Sequence, residues 1–217
     1  MLRKTPFIFL LFISIASQAQ SLRFSLLAEP QFSWMITDKK DIISKGAIMG
    51  LNAGLGMDYY FAENYAFSTG VSINNIGGKL EYADSITFNL SPNDITVPAT
   101  SEITYLLRYI NIPIGLKFKT NEIGYTTFFA NLGITPMISI RNSATDLSEI
   151  LFKEDISEDI TNLNMNYFIS MGVQYSLGGS TALIGGLGYS SGFMDVTTRA
   201  YDKITINTFS LRVGILF

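Results

Sequence analysis

The chain has 217 residues, no cysteine, no histidine and a formal net charge of −3. Without histidine and cysteine it cannot build a Ser-His-Asp triad, a thiol nucleophile or a His/Cys zinc site, and the negative charge without a basic stripe argues against nucleic acid as a partner. Hydrophobic residues make up 47% and charged residues only 15% of the chain. No pair of carboxylates stands in a setting suited to acid–base chemistry, so we expect neither an enzyme nor a bound cofactor or metal.

The N-terminus has the pattern of a secretory signal. Arg3 and Lys4 precede an apolar run over residues 6–17, and Ser17 and Ala19 place small residues before a cleavage point. The run is too short to cross a bilayer with a stop-transfer helix. We therefore predict a signal peptide over residues 1–19 and one β-barrel domain over residues 20–217, and the alternative is an N-terminal anchor helix.

Eight later segments alternate apolar and polar residues with a period of two, which is the period of a β-strand. In the second segment, one face from Ala47 to Phe61 is apolar, while the other carries glycine, asparagine and aspartate. Small polar residues fit a narrow barrel interior and bulky apolar ones fit lipid, whereas a soluble sandwich would reverse this balance. The segments span residues 22–36, 46–61, 65–83, 102–119, 123–141, 163–177, 180–195 and 203–217.

The connections between these segments alternate in length. Residues 62–64, 120–122 and 178–179 are tight turns, and the remaining connections are longer. Outer-membrane barrels have short periplasmic turns and long extracellular loops. The sequence thus predicts an all-β, transmembrane, up-and-down antiparallel β-barrel of eight strands in the outer membrane of a Gram-negative cell envelope, with both termini periplasmic.

Aromatic residues cluster at the ends of the segments, which predicts two girdles at the membrane interfaces. Ordinary strand propensity for aromatic residues is the alternative. The girdle at the short turns contains Tyr59, Phe61, Tyr65, Phe67, Phe118, Tyr125, Phe128, Tyr175 and Phe217, and the girdle at the long loops contains Phe32, Trp34, Tyr105, Tyr109, Tyr167 and Phe193.

Prolines lie inside three of the segments, at Pro30, Pro113 and Pro136. Proline has no backbone N–H to donate to a neighbouring strand. Each of the three therefore predicts a bulge or a skipped hydrogen bond in the barrel wall.

Ionisable residues fall on the polar faces of several strands. An eight-stranded barrel is only wide enough for side chains to fill, so opposite charges there should pair, and a general porin is excluded. We expect Arg212 or Lys117 to pair with Glu29 or Asp58 across the lumen as a structural plug, and the alternative is a path for protons or ions. The interior set is Arg23, Glu29, Asp58, Lys117, Lys119, Arg141 and Arg212.

The third long loop is acidic. Leu147, Ile150 and Leu151 are spaced as on a helix, so a short surface helix is one interpretation. A solvated loop, a divalent-cation bridge to lipopolysaccharide and contact with a partner protein are the others. The loop's charges are Asp146, Glu149, Glu154, Asp155, Glu158 and Asp159, opposed by Lys153.

The last segment alternates up to Phe217. An unpaired edge strand recruits other strands through its backbone. An alternating strand closed by an aromatic residue is therefore predicted to be an assembly signal for barrel-assembly machinery, and the alternative is that Phe217 is one more girdle residue.

Residues 108–118, with the sequence RYINIPIGLKF, resemble a strand that recurs in small PorT-type outer-membrane barrels. The shared pattern runs from Tyr109 through Pro113 to Lys117, and the glycine-rich stretch at residues 130–133 is also similar. The resemblance implies a small barrel and a link to a protein-secretion or surface complex, without assigning any functional residue. The barrel itself is expected to have outer-membrane lipid and lipopolysaccharide as its surroundings. Three roles stay open: a non-catalytic structural, interaction or assembly component, an accessory of secretion, and a narrow channel or small-ligand carrier.

Overall fold

A computed structural model describes residues 22–90, 94–146, 150–199 and 202–217. The predicted signal peptide lies outside these residues. No helix among them has the length and hydropathy needed to cross a membrane. The strands are β1 Leu22–Thr37, β2 Ile42–Ala62, β3 Tyr65–Tyr82, β4 Ile86–Phe88, β5 Ile95–Val97, β6 Glu102–Asn111, β7 Ile114–Lys119, β8 Thr126–Asp146, β9 Phe152–Asp155, β10 Leu163–Gly178, β11 Thr181–Gly192 and β12 Ile204–Leu216.

The main sheet closes on itself as a ring of eight antiparallel barrel strands. The order runs β1, β2, β3, then β6 and β7, then β8, β10, β11 and β12, and β12 pairs with β1. β6 and β7 form the fourth barrel strand, because both pair with β3 on one side and with β8 on the other in one continuous line. The predicted eight-stranded up-and-down barrel is confirmed.

Two barrel strands, β2 and β8, are longer than predicted at the end that carries the long loops, whereas β11 ends three residues earlier than predicted, at Gly192. β2 begins at Ile42, so the first long connection contains only residues 38–41, and β8 continues to Asp146. The second holds the β4–β5 hairpin, and the third holds β9 and a 3-10 turn at Ser157–Asp159. The predicted surface helix is wrong over residues 152–155, which pair with β8 as a strand, while Leu147 and Glu149 lie outside the described residues.

The two faces of the wall differ as the alternation predicts. Bulky residues point outward and remain exposed, such as Met49 at 74% and Leu55 at 56%. Glycine and small polar residues point inward. Some of the glycines are required, because neighbouring strands approach each other too closely there for a larger side chain. A Cβ added to Gly54 would lie 2.4 Å from the Cβ of Ser72 on β3. The outward face therefore forms the surface for lipid and the inward face a narrow lumen.

A β-bulge in β8 overturns one interior assignment. Arg108 pairs with Arg141, but the next residue, Tyr109, pairs with Ser139, so β8 carries one extra residue there. Below the bulge Met137 points inward, and above it Asn142 and Ala144 do. A bulge of one residue inverts which side chains face the lumen. Arg141, predicted to be interior, is exposed on the outside of the barrel.

The prolines interrupt the wall as predicted without shifting its register. The β1–β12 pairing skips residues 29 and 30 at Pro30 and resumes with Gln31 opposite Ser210. The fourth barrel strand breaks at Pro113, between β6 and β7. Pro136 lies across the same break, where its carbonyl accepts a hydrogen bond of 3.0 Å from the Ile112 N–H. Two prolines thus weaken the same place in the wall.

Tyr105 and Tyr109 do not belong to the girdle of aromatic residues. Both are fully buried inside the barrel. On β6 the residues that point inward are Ile103, Tyr105, Leu107 and Tyr109, so the inner face of this stretch is apolar, while its outer face mixes polar residues such as Glu102 and Arg108 with apolar ones. Alternation alone could not show which face was which.

Candidate functional site

One cluster of charges lies in the middle of the lumen. Arg212 Nε donates a hydrogen bond of 2.5 Å to Glu29 Oε1, and Asn52 Nδ2 donates one of 2.7 Å to Glu29 Oε2. These residues lie on the adjacent strands β12, β1 and β2. Because both oxygens of the Glu29 carboxylate have donors, its burial is compensated.

A second ion pair joins Lys117 on β7 to Asp58 on β2. It reaches over β3, which lies between those two strands. Both side chains are 7% exposed, and Lys117 Nζ also lies 5.2 Å from the centre of the Phe129 ring. A cation close to an aromatic face gains further electrostatic stabilisation.

The four predicted lumen charges therefore meet, but their pairs run along the wall rather than across it. Glu29, Asp58, Lys117 and Arg212 line one cavity of about 120 Å³. Glu29 and Arg212 lie on neighbouring strands, and Asp58 and Lys117 lie on strands separated only by β3, so no side chain has to span the full diameter. A cavity of this size has room for several water molecules but is smaller than a pocket for a drug-sized ligand.

The other predicted interior cations lie at the short-turn end. Arg23 and Lys119 line a wider space of about 480 Å³, together with Glu63 and Glu122. Lys119 Nζ lies 5.0 Å from the centre of the Tyr60 ring. Both cations are half-buried, so they belong to a hydrated vestibule below the charge cluster.

Above the charge cluster, a folded cap closes the lumen at the long-loop end. We call cap the β4–β5 hairpin with residues 150–162 and 193–199. Their apolar side chains pack in one buried cluster with the upper barrel wall. The cap contributes Ile86, Phe88, Val97, Leu151, Ile156, Ile160 and Val196, and the wall contributes Met35, Ile76, Leu80, Ile103, Tyr105, Leu107, Tyr109, Met137, Ile204 and Ile206.

This cap was not predicted from the sequence. A signal for it exists, because the inward positions change character along the strands. Near the short turns most of them are small or polar, as at Ser25 and Gly56, apart from a small apolar cluster around Phe129, whereas near the long loops they are large and apolar, as at Met35 and Ile206. Large inward side chains at that end indicate something apolar to pack against.

A buried cation ties the cap together. Arg199 Nη2 lies 3.3 Å from Asp159 Oδ1, and Nη1 lies 4.0 Å from Asp202 Oδ2. The guanidinium carbon is 4.7 Å from the centre of the Phe88 ring. Asn89 donates to both Asp159 oxygens, from N and from Nδ2, each at 2.9 Å. Three separate loops are thus joined at one carboxylate.

The acidic loop is therefore only partly solvated. Asp159 is 1% exposed and serves the cap, whereas Glu154, Asp155 and Glu158 are exposed. The interpretation of this loop as a uniformly solvated segment is wrong for Asp159, because Arg199 and Asn89 compensate its burial.

Asp202, in the loop beside the cap, has a shifted pKa. Burial raises the pKa of Asp202, although the Thr197 hydroxyl and the Arg199 charge act in the opposite direction. In the wall next to it, the Tyr82 and Tyr105 hydroxyls are 2.8 Å apart and share a hydrogen bond.

Among the described residues no group of three or more acidic side chains is arranged to hold a metal ion. The closed ring, the outward apolar face and the filled lumen together define the class of protein. Residues 18–198 match the family model described as outer membrane protein beta-barrel domain. The chain belongs to this family. No curated protein matches the sequence.

Several solved outer-membrane barrels resemble the chain in structure. Neisserial surface protein A has a TM-score of 0.52 and 12% identity, over 89% of this chain and 95% of that one. OprG from Pseudomonas aeruginosa has 0.45 and 11%, over 90% and 93%. Ail of Yersinia pestis has 0.42 and 15%, over 90% and 99%. At such identities the likeness to the neisserial protein concerns the fold alone.

The Lys117–Asp58 pair should behave as a coupled buried unit. Asp58→Asn or Lys117→Met should each lower the free energy of unfolding by about 3 kcal/mol, because each leaves an unpaired buried charge, while Asp58→Leu with Lys117→Met should cost much less. Urea unfolding of refolded protein, followed through the single tryptophan Trp34, measures this.

The control for this experiment is the outward-facing pair Lys79–Glu102, whose Nζ and Oε1 are 2.9 Å apart. Its single variants should change the free energy of unfolding by less than about 1 kcal/mol, because the pair is partly hydrated. Equal costs at the two sites, or a double lumen variant as unstable as the sum of its singles, would contradict the coupling.

Removing the buried cation should open the cap without opening the barrel. Arg199→Met leaves Asp159 buried without its cation, at a cost of about 3 kcal/mol, which corresponds to about a hundredfold rise in the open population. Chymotrypsin should then cleave near Leu151 and Phe152 correspondingly faster. Glu154→Gln, an exposed change in the same loop, should leave the rate unchanged. Unaltered cleavage in Arg199→Met would show that the ion pair does not hold the cap.

Proposed function

We propose that this chain is a closed, non-catalytic outer-membrane barrel that acts through its outer surface as a structural, interaction or assembly component. The observation that carries this proposal is the double obstruction of the lumen. Two buried ion pairs occupy its middle, and the packed cap covers its long-loop end. A lumen that is closed by a packed hydrophobic core offers no open path for a transported molecule.

The cavity size argues against a channel or a small-ligand carrier. Pockets for drug-sized ligands measure about 300–1,000 Å³. The space around the charge cluster measures about 120 Å³, and its walls are hydrogen-bonded to each other, as between Gln31 Nε2 and Asn74 Oδ1 at 2.5 Å. The vestibule of about 480 Å³ falls within that range, but it is an open mouth at the short-turn end, lined by turn residues such as Glu63, and lies outside the closed part of the lumen.

In the proposed orientation the short turns and both termini face the periplasm and the cap faces the cell exterior. The ends of the strands support this orientation, because charged pairs lie on their outer side at the cap end. Lys45 pairs with Glu81 at 2.9 Å and Lys79 with Glu102 at 2.9 Å on the outside of the wall. Such charges suit a wall that stands above the lipid, among the sugars of lipopolysaccharide.

A second candidate is an accessory role in protein secretion. It is favoured by the PorT-like stretch at residues 108–118, which forms the broken fourth barrel strand, and by the exposed carboxylates Glu154, Asp155 and Glu158 on the cap. Capture of secretion components by the intact barrel, lost when these three carboxylates are neutralised, distinguishes this role from a purely structural one.

The closed lumen predicts the absence of stable conductance. Refolded wild-type protein in planar bilayers should give no stable current step, because neither ions nor water find a continuous path past the charge cluster and the cap. A general porin inserted into the same bilayer serves as the positive control. Reproducible steps from the wild-type barrel would show that the lumen conducts.

Phe217 lies at the seam where the last strand meets the first. Its N–H donates to Phe24 O at 2.8 Å, its carbonyl accepts from Phe24 N at 3.0 Å, and the ring centres are 6.5 Å apart. We propose that barrel-assembly machinery reads this ring while the strand is still an unpaired edge.

Phe217→Ala should therefore reduce the amount of folded barrel in cells several-fold, while the stability of refolded protein changes as little as in Phe209→Ala. The control fits because the two rings are similarly exposed, at 53% and 45%, and lie on one outward face. Heat-dependent gel mobility measures folded barrel in both settings. An equal loss of folded barrel for the two variants in cells would show that Phe217 acts only as a girdle residue.

A further inference from the structure

Two arginines stand directly opposite each other on the outside of the barrel. Arg108 on β6 pairs with Arg141 on β8, and both side chains are exposed. Like charges at opposed positions of neighbouring strands destabilise a sheet. The bulge in β8 creates this contact, because without it Arg141 would point into the lumen.

No carboxylate of the described residues lies within ion-pair distance of either arginine. This contrasts with the cations one to two rows above them, since Lys45 and Lys79 each have an acidic partner at 2.9 Å. The outer wall is thus balanced in charge near its top and carries an uncompensated positive pair just below.

The guanidinium of Arg108 is held in place by its neighbour. Arg108 Nε donates to Asn75 Oδ1 at 2.7 Å, and Asn75 Nδ2 donates to the Leu51 carbonyl at 3.2 Å. The terminal nitrogens of Arg108 have no hydrogen-bond acceptor within the described part of the chain. A planar guanidinium fixed through Nε presents its remaining donors to an anion.

A hollow of about 240 Å³ lies between these side chains. Arg108, Arg141 and Lys153 line it together with Ser143, and Met49 and Leu106 supply its apolar sides. Lys153 adopts a left-handed backbone conformation, with φ of 53°. A non-glycine residue in that region is strained, and such strain is often retained at binding sites. The hollow is large enough for a phosphate and part of its parent molecule.

The height of the pair matches a membrane surface. Ten residues separate Arg108 from the girdle residue Phe118, which at about 3.3 Å per residue and a tilt of about 40° gives about 25 Å. The apolar band of outer-membrane barrels is about 25 Å tall. The outward residues in between are Ile110, Ile112, Ile114 and Leu116, and those below Arg141 on β8 include Ile138 and Ile140.

We propose that Arg108, Arg141 and Lys153 bind the phosphate of a lipid anchored in the outer leaflet, such as the lipid A part of lipopolysaccharide. The phosphate accepts hydrogen bonds from both guanidinium groups and relieves their repulsion, while the acyl chains lie against Ile138 and Ile140. The leaflet assignment rests on the proposed orientation. The binding chemistry does not, since it requires only a lipid-linked phosphate at this level.

Native mass spectrometry of the detergent-solubilised full-length barrel tests this with diphosphorylated lipid A as probe. Wild type should bind one molecule, and Arg108→Gln with Arg141→Gln should lower the affinity by at least about tenfold. The matched control is Lys45→Gln with Lys79→Gln, which removes the same charge from the same side of the wall. It should retain wild-type affinity. Equal losses of lipid A affinity in both double variants would overturn the proposed site, because they would show that any positive charge on the outer wall attracts the lipid.

Two further probes need only wild-type protein, so the test survives if a variant misfolds. Fully dephosphorylated lipid A should bind at least tenfold more weakly, and soluble glucosamine phosphate should not compete at the same concentration. Equal binding of the dephosphorylated lipid would overturn the role of phosphate, and effective competition by the soluble sugar would overturn the lipid source. Labelling of Glu154→Cys on intact cells reports the orientation separately, because the chain has no other cysteine.

Discussion

The structure depends on one constraint: in lipid, every backbone N–H and C=O must find its partner within the protein. The ring of eight strands meets it by pairing β12 with β1 and so leaving no open edge. Prolines are tolerated because they fall where the loss of a donor is confined. Pro113 and Pro136 lie across from each other at a single break, so the wall has one weak place there instead of two. The Ile112 N–H still reaches the Pro136 carbonyl across that break.

A closed ring of this size has an interior that must be filled, and the chain fills its two ends differently. Toward the short turns the contents are mainly hydrogen-bonded and charged, with Glu29 and Asp58 each held by a base, beside a small apolar cluster around Phe129. Toward the long loops they are apolar and continuous with the cap. The polar part tolerates water, whereas the apolar part excludes it. The stability of the upper half therefore comes from burial of apolar surface, as in a soluble domain.

The eight strands could be predicted because alternation is a local signal repeated over long segments, as from Ala47 to Phe61. The position of the lumen charges on inward faces predicted that acids and bases would pair, but it left open which base would meet which acid. The bulge at Ser139–Arg141 could not be predicted. Ile140 and Arg141 both lie on the outside, and nothing in the sequence marks the place where the extra residue enters the strand. The cap was hidden for another reason. Its main ion pair joins Arg199 to Asp159, and Asn89 reaches Asp159 from 70 residues away, so no window of sequence contains the contact.

The bulge in β8 divides that strand into two reading frames. Below it, residues of odd number face the lumen, and above it residues of even number do, from Asn142 to Asp146. If the same residues paired without the bulge, the lower frame would continue upward, turn Arg141 inward and expose Ala144 on the outer wall. A deletion of Ile140, in contrast, would leave both frames intact, because Ser139 and Arg141 would become consecutive residues opposite Tyr109 and Arg108. Substitutions in the lower half of β8 must therefore keep the odd positions compatible with the lumen, and those in the upper half must keep the even positions compatible with it.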